Sequence, residues 1–200
     1  MSSSPYDQRL ARIMVRPLAR AGVSPNQVTT ATLVLALAGA GLIALGAPAA
    51  HWGAGLFVLA RFFDHFDGEL ARRTGRSSRF GYYYDHVVGG ISYACLFLAI
   101  GIGQTASLGW WALLLGGLGG ASALISLYTN LELERTAAPE APEAAGYPGF
   151  AGFELEDGIY LIAPVTWLGL LPYFLVPAGL GAGIYCGWTV VSLMRARRQR

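Results

Sequence analysis

Apolar runs about as long as a lipid bilayer is thick recur along this chain of 200 residues, and they restrict the folds open to it. A helix needs roughly 20 mainly apolar residues to cross the hydrocarbon core of a membrane. Hydrophobic residues make up 54% of the sequence and charged residues only 13%, whereas an ordinary soluble domain carries about 25% charged residues. We therefore predict an all-α integral membrane protein that forms a single domain over residues 1–200.

The apolar runs predict six transmembrane helices. The fifth run is the least regular, because Pro164 and Pro172 interrupt it and acidic residues precede it. The second and third runs carry charges at one end, so these helices should extend beyond the bilayer there. The predicted spans are residues 28–47, 52–74, 80–102, 108–130, 157–173 and 175–194.

Two segments outside the apolar runs also have a predicted structure. Residues 5–22 place apolar side chains on one side of a helix and four Arg on the other, a pattern typical of an amphipathic helix at a membrane surface. The following Ser24-Pro25-Asn26 favours the start of the first span. Residues 131–156 contain a stretch rich in Ala, Pro, Glu and Gly, which indicates a cytoplasmic loop.

The distribution of Arg predicts the orientation. The chain has 14 basic residues and a net charge of +2, and a six-span layout brings the Arg clusters to one side. The positive-inside rule places that side in the cytoplasm, together with both termini. We expect a multi-pass protein of the cell inner (plasma) membrane, and we expect no nucleic-acid partner.

A charged motif that runs from Asp64 to Asp85 lies within apolar segments of membrane type. Ionisable groups at membrane depth are costly and usually line a functional site. On a helix, Asp64 and Asp67 share one face and lie roughly 4.5 Å apart along the axis, so their carboxylates repel each other unless a cation lies between them. Asp85 on the next helix can complete a site for a hard cation such as Mg²⁺ or Mn²⁺.

The same face offers features that suit a metal-bound diphosphate. Gly68 and Gly81 let a ligand approach the backbone closely, and Arg72 presents a fork of donors suited to phosphate oxygens. A second interpretation of the carboxylates alone is a buried network of ion pairs with Arg61 and Arg72.

The spacing Asp-x-x-Asp-Gly-x-x-Ala-Arg over residues 64–72, followed by Gly81 and Asp85, resembles the signature of the CDP-alcohol phosphotransferase family. The resemblance implies a membrane enzyme, often a homodimer, that transfers a phosphoalcohol from a CDP-alcohol such as CDP-diacylglycerol to an acceptor alcohol and releases CMP. Ser24 to Thr29 resembles a further, less strict element of the family. By resemblance, the residues that contact the nucleotide are Asn26, Thr29, Gly68, Ala71, Arg72 and Gly81.

One position departs from the family pattern. The fourth Asp, to which the family assigns the roles of general base and metal ligand, is replaced by Gly89. His86 is the nearest substitute base in the sequence, but its helical position also suits packing against a neighbouring helix. Two further hypotheses therefore stay open: a relative that binds CDP-lipid and metal without turnover, and a small cation transporter.

Overall fold

The computed structural model describes residues 14–136 and 159–198, and all regular secondary structure in these ranges is helical, as predicted. The helices are α1 (14–20), α2 (Pro25–Ala44), α3 (Ala49–Thr74), α4 (Arg79–Gly103), α5 (Thr105–Leu108), α6 (Trp110–Thr136), α7 (Ile162–Trp167) and α8 (Leu171–Arg198).

Local sequence sets the helix ends near the acidic cluster. Ser24 caps α2 in a reciprocal pair with Gln27, whose backbone N–H donates to Ser24 Oγ at 3.3 Å. Gly75 ends α3 in the left-handed region, with φ of 65°. Ser78 then caps α4 by accepting from the Gly81 N–H at 3.0 Å. The turn between Gly75 and Ser78 thus brings α4 back beside the charged end of α3.

Helix α2 lies at the centre of one half of the bundle, where both α3 and α4 pack against it. Helix α6 packs against both α4 and α8. Glycine permits the closest approaches. A Cβ on Gly39 would lie 2.8 Å from the carbonyl oxygen of Gly53, and a Cβ on Gly116 would lie 2.9 Å from the Cα of Gly101. The first contact brings α3 against α2, and the second brings α6 against α4. Because α4 also packs on α2, the charged ends of α3 and α4 come together at one end of the bundle.

In the described part of the chain, four helices are long and apolar enough to cross a membrane, namely α2, α4, α6 and α8. Helix α3 matches the predicted second span in position, and its 26 residues reach about 39 Å, but it carries the charged motif. The predicted fifth span is wrong in its extent. Helix α7 is only 6 residues long, Gly169 turns the chain with φ of 70°, and Pro172 lies in the first turn of α8. The six-span layout therefore stays a prediction.

Two predicted boundary segments also differ from the structure. The predicted loop 131–156 begins too early, because α6 continues to Thr136, where Arg135 and Glu132 form an ion pair of 2.7 Å within the last turn. Residues 137–156 lie outside the described residues. Of the predicted amphipathic helix 5–22, residues 14–20 are helical, and residues 5–13 also lie outside the described ranges. Val15 on α1 is fully buried and packs in a cluster with Phe66 and Leu70, so this part of α1 presents an apolar side to the helix bundle.

Candidate active site

Three aspartates from two helices form a compact acidic cluster. Asp64 and Asp67 come from α3 and Asp85 comes from α4, and one carboxylate oxygen of each lies within 4.8 Å of the others. Their helical spacing and the turn between α3 and α4 produce this arrangement, as the sequence predicts. The Oδ1 atom of Asp64 is buried without a hydrogen-bond partner. Hard oxygen donors at this spacing, one of them unsatisfied, fit a small divalent cation such as Mg²⁺ or Mn²⁺.

Asp67 is the most deeply placed of the three, with only 5% of its surface exposed. Thr29, near the start of α2, donates a short hydrogen bond to Asp67 Oδ2. Thr29 itself is only 2% exposed, so its hydroxyl makes this hydrogen bond in the interior of the protein. The family resemblance predicts that Thr29 contacts the nucleotide. In the structure, Thr29 fixes the orientation of Asp67 through its hydrogen bond.

Arg61 lies on the other side of the cluster. Its Nη2 is 2.9 Å from Asp64 Oδ2, and its guanidinium lies 5.0 Å from the centre of the Tyr93 ring on α4. Of the ion-pair network considered as an alternative from the sequence, the pair between Arg61 and Asp64 is present. Arg72 instead pairs with Glu69 at 3.2 Å and is 68% exposed in its side chain, so it is available to an incoming anion.

A cavity of about 570 Å³ opens beside Asp64 and Asp85. Gly89 and His86 line it on α4, and Asn130 on α6 donates a 3.0 Å hydrogen bond to the hydroxyl of Tyr185 at its edge. The remaining lining is largely apolar and comes from α4, α6 and α8. The cavity therefore joins the acidic cluster to an apolar space between helices, a shape that suits a ligand with a polar head and an apolar tail.

The residues predicted to contact a nucleotide lie at the charged end of the bundle. A Cβ on Gly81 would lie 3.1 Å from Asn26 Oδ1, so α2 and α4 approach each other closely there. Gly68 lies beside Arg72, whose Nη1 is 3.5 Å from the position of a Cβ on Gly68. Ala71 is partly buried one turn further along α3. Gly68 thus leaves space next to a guanidinium, and Gly81 lets the Asn26 side chain lie against α4.

His86 lies within reach of both the cavity and α6. Its Nδ1 is 2.9 Å from the carbonyl oxygen of Tyr82, and because a carbonyl can only accept, this nitrogen carries the proton. Its Nε2 lies 4.0 Å from Glu134 Oε1, and Glu134 also accepts a hydrogen bond from the Tyr82 hydroxyl. Sequence reasoning missed Glu134, because only the packing of α6 against α4 brings it to His86.

A second pocket of about 650 Å³ opens at the same end of the bundle. Arg79 and Arg135 border it, together with the carboxylate of Glu134 and with Ser77 and Ser78 at the start of α4. Arg135 also lies over the Tyr83 ring, at 5.3 Å from its centre. Two guanidinium groups beside the beginning of a helix suit a phosphate group.

Known proteins are similar to this chain in sequence and in fold. A family model described as CDP-alcohol phosphatidyltransferase matches residues 22–185. A phosphatidylinositol phosphate synthase from Mycolicibacterium smegmatis is 31% identical over 177 residues, which cover 84% of this chain and 72% of that protein. A crystal structure of phosphatidylinositol phosphate synthase (PgsA1) from Mycobacterium tuberculosis, with CDP-DAG bound, matches with a TM-score of 0.71 at 19% identity and covers 92% of this chain and 94% of that chain.

Proposed function

This chain belongs to the CDP-alcohol phosphatidyltransferase family, and on that basis we propose that it binds a CDP-alcohol and a divalent metal ion and transfers the phosphoalcohol to an acceptor alcohol. CMP is the leaving group, and the product is a phospholipid or a related polar lipid. CDP-diacylglycerol is the proposed donor, because PgsA1 is described with CDP-DAG bound and because the apolar cavity beside the cluster can receive lipid tails.

The acidic cluster carries this proposal. Asp64, Asp67 and Asp85 would hold Mg²⁺ or Mn²⁺, with the buried and unsatisfied Oδ1 of Asp64 among the ligand atoms. A bound divalent ion supplies charge neutralisation for the diphosphate and for the CMP that leaves. Thr29 holds Asp67 in the orientation that the cluster needs.

The nucleotide occupies the face defined in the sequence by Gly68, Ala71 and Arg72, with Asn26 and Gly81 on the neighbouring helices. Arg72 donates to the phosphate oxygens, because its exposed guanidinium lies beside the side-chain-free position of Gly68. Asn26 lies against the backbone of Gly81, because that position has no side chain to displace it. Thr29 contributes through Asp67.

A phosphorylated polyol is the proposed acceptor. The pocket bordered by Arg79 and Arg135 offers two guanidinium groups at the same end of the bundle as the cluster. The relative from Mycolicibacterium smegmatis is a phosphatidylinositol phosphate synthase, which agrees with an acceptor that carries its own phosphate. Inositol phosphate and glycerol phosphate should therefore compete for this pocket, whereas inositol and serine should not.

Gly89 favours a second candidate function, in which the protein binds CDP-lipid and metal with little turnover. A side chain at this position would face the cavity next to Asp85, and glycine supplies neither a proton acceptor nor a metal ligand. Losing a general base typically lowers a rate by about 10²–10⁴-fold. His86 is the candidate that could take over as base, since it lines the same cavity with Nε2 unprotonated when the ring is neutral.

The proposed setting is the plasma membrane, with both termini in the cytoplasm and the chain in a homodimer. The Arg-rich ends of α3 and α8 support this orientation by the positive-inside rule. Cysteines introduced at Ser77 and at Ser107, after replacement of Cys95 and Cys186, should label from opposite sides of right-side-out vesicles. Labelling of both from the same side would contradict the orientation.

The function is tested by binding and turnover on one preparation of purified protein in detergent. CDP-diacylglycerol should bind in the presence of Mn²⁺ and much more weakly after chelation, and CMP release should require a phosphorylated acceptor. Strong CDP-diacylglycerol binding that is unaffected by chelation would contradict the proposed role of the cluster.

A further inference from the structure

Glu134 places a carboxylate in the second pocket, which the proposed function assigns to the acceptor. It borders this pocket together with Arg79 and Arg135, and the side chains of Tyr82 and Tyr83 lie in the same wall. A carboxylate that borders a phosphate site repels the phosphate, because like charges interact unfavourably at short range. The pocket is therefore poorly suited to phosphate alone, and Glu134 indicates a ligand that also has an uncharged polar part.

The Glu134 carboxylate is held in place from α4. The Tyr82 hydroxyl donates a short hydrogen bond to Oε2 of Glu134, and Oε1 of Glu134 lies 4.0 Å from Nε2 of His86. The rings of Tyr82 and His86 lie against each other, with their centres 4.3 Å apart. Glu134 therefore has a defined position where α6 meets α4, and 30% of its side-chain surface stays exposed.

A carboxylate in this position is suited to bind hydroxyl groups. An ionised carboxylate only accepts hydrogen bonds, and it has about four sites at which it can accept one. Tyr82 uses one of these sites. Hydrogen bonds to a charged acceptor are stronger than those between neutral groups. The hydroxyl groups of a polyol can donate such bonds, whereas a fully ionised phosphate has no hydrogen to donate.

Glu134 also lies close to the acidic cluster. The His86 ring stands between the two, because its Nδ1 is 4.0 Å from Asp85 Oδ2 and its Nε2 is 4.0 Å from Glu134. Arg79 is further away, since it begins α4 six residues before Asp85, or about 9 Å along the helix axis. A ligand with its phosphate on Arg79 and its hydroxyl groups on Glu134 thus presents the hydroxyl groups to the cluster.

We propose that Glu134 determines acceptor specificity: it binds the hydroxyl groups of a phosphorylated polyol and directs them toward the acidic cluster, while the phosphate lies on Arg79 and Arg135. Tyr82 is the positioning residue that holds Glu134. The inference rests on the proposed function, because it names what distinguishes a polyol phosphate from other phosphate esters in that same acceptor pocket. The acceptor reacts through a hydroxyl group, so this orientation brings its reacting end toward the metal ion and the donor.

Isothermal titration of the full chain in detergent can compare inositol phosphate with methyl phosphate, an ester that has no alcohol hydroxyl group. No divalent ion is added, so that neither phosphate is held through a metal ion at the cluster. The native chain should bind inositol phosphate at least about tenfold more tightly than methyl phosphate. Glu134→Gln should lower the affinity for inositol phosphate by about tenfold and leave that for methyl phosphate unchanged or higher.

Two further variants show whether the effect belongs to the carboxylate. Tyr82→Phe removes only the hydroxyl that holds Glu134, so it should weaken inositol phosphate binding by a smaller factor, about threefold, and leave methyl phosphate binding unchanged. Glu132→Gln is the matched control, because it removes the carboxylate that pairs with Arg135 at 2.7 Å on the same turn of α6. It should change the affinity for both esters by the same factor.

A native chain without preference for inositol phosphate would overturn the inference, as would equal losses for both esters, or no loss for either, in Glu134→Gln. If Glu134→Gln does not fold, Tyr82→Phe decides the matter, since an unchanged preference in that variant would also overturn the inference. A failure of the proposed function looks different: the native chain would then bind neither ester, and Arg79→Gln would match it.

Discussion

The two sides of the acidic cluster differ in how closely they follow the family pattern. On the side of Asp67, the expected residues are present and tightly arranged: Thr29 fixes the carboxylate, and Gly81 leaves room beside Asn26. On the side of Asp64, a glycine stands where a carboxylate is expected, and Arg61 lies against the space.

This difference indicates that binding and chemistry depend on separate parts of the site. In the proposed function, the Asp67 side holds a metal ion and a nucleotide, and Thr29 on α2 orders the Asp67 carboxylate by a hydrogen bond. On the Asp64 side, Gly89 supplies no group that could take a proton from the acceptor. The native chain should therefore bind its donor well and turn it over slowly, and each prediction below tests one side.

The largest effect should follow removal of a ligand from the cluster. Asp64→Asn and Asp67→Asn should each weaken Mn²⁺ binding by at least about 100-fold, more than is usual for residues outside the ligand set, because a neutral amide cannot offset the charge of the ion. Isothermal titration with Mn²⁺ checks this. Glu132→Gln, which removes a carboxylate from α6 at the same end of the bundle, is the control and should bind as the native chain does.

Arg72→Ala should affect the nucleotide and leave the metal ion alone. A charge-assisted hydrogen bond to phosphate contributes about 2 kcal/mol, or roughly 30-fold in affinity. CDP-diacylglycerol binding should fall by about that factor at saturating Mn²⁺, whereas Arg73→Ala should have little effect. Equal losses of metal and nucleotide affinity in Arg72→Ala would show that Arg72 acts on the cluster instead.

Thr29→Val tests whether the hydrogen bond from Thr29 holds the Asp67 carboxylate in place. Without the hydroxyl, Asp67 loses its hydrogen bond from α2, and Mn²⁺ affinity should fall by about tenfold. Thr30→Val is the matched control, because Thr30 hydrogen-bonds to Tyr84 at 2.9 Å and not to the cluster. If both variants weaken Mn²⁺ binding equally, the effect comes from α2 in general and not from the Asp67 hydrogen bond.

His86→Ala should have the smallest effect, less than about twofold on the binding of Mn²⁺ and CDP-diacylglycerol, because His86 lies in a network with Tyr82 and Glu134. If the native chain does release CMP at a substantial rate, this variant distinguishes the sources of the base. Loss of that activity in His86→Ala would assign the role to the histidine.

Local sequence was sufficient to predict much of the fold and the acidic cluster. The start of α2 follows from Ser24 and Pro25, and helical spacing places Asp64 and Asp67 together, so both are properties of neighbouring residues. The predicted fifth span is too long, because Gly169 ends the helical segment before Pro172. A glycine between two prolines is the sequence signal that favours such a break.

Contacts between helices could not be predicted in the same way. The pairing of Arg61 with Asp64 agrees with their spacing of three residues on α3, but the position of Arg61 beside Gly89 depends on how α3 and α4 pack against α2. Likewise, Thr29 reaches Asp67 because α2 and α3 pack closely, an approach that Gly39 and Gly53 permit further along the two helices. A single sequence does not determine such distances between residues on different helices.

CMP release measured beside CDP-diacylglycerol binding, for the native chain and for Gly89→Asp, tests the central claim most directly. With Mn²⁺ and a phosphorylated acceptor present, both proteins should bind the donor, and Gly89→Asp should release CMP faster. A native chain that binds the donor and releases CMP as fast as Gly89→Asp would contradict the account.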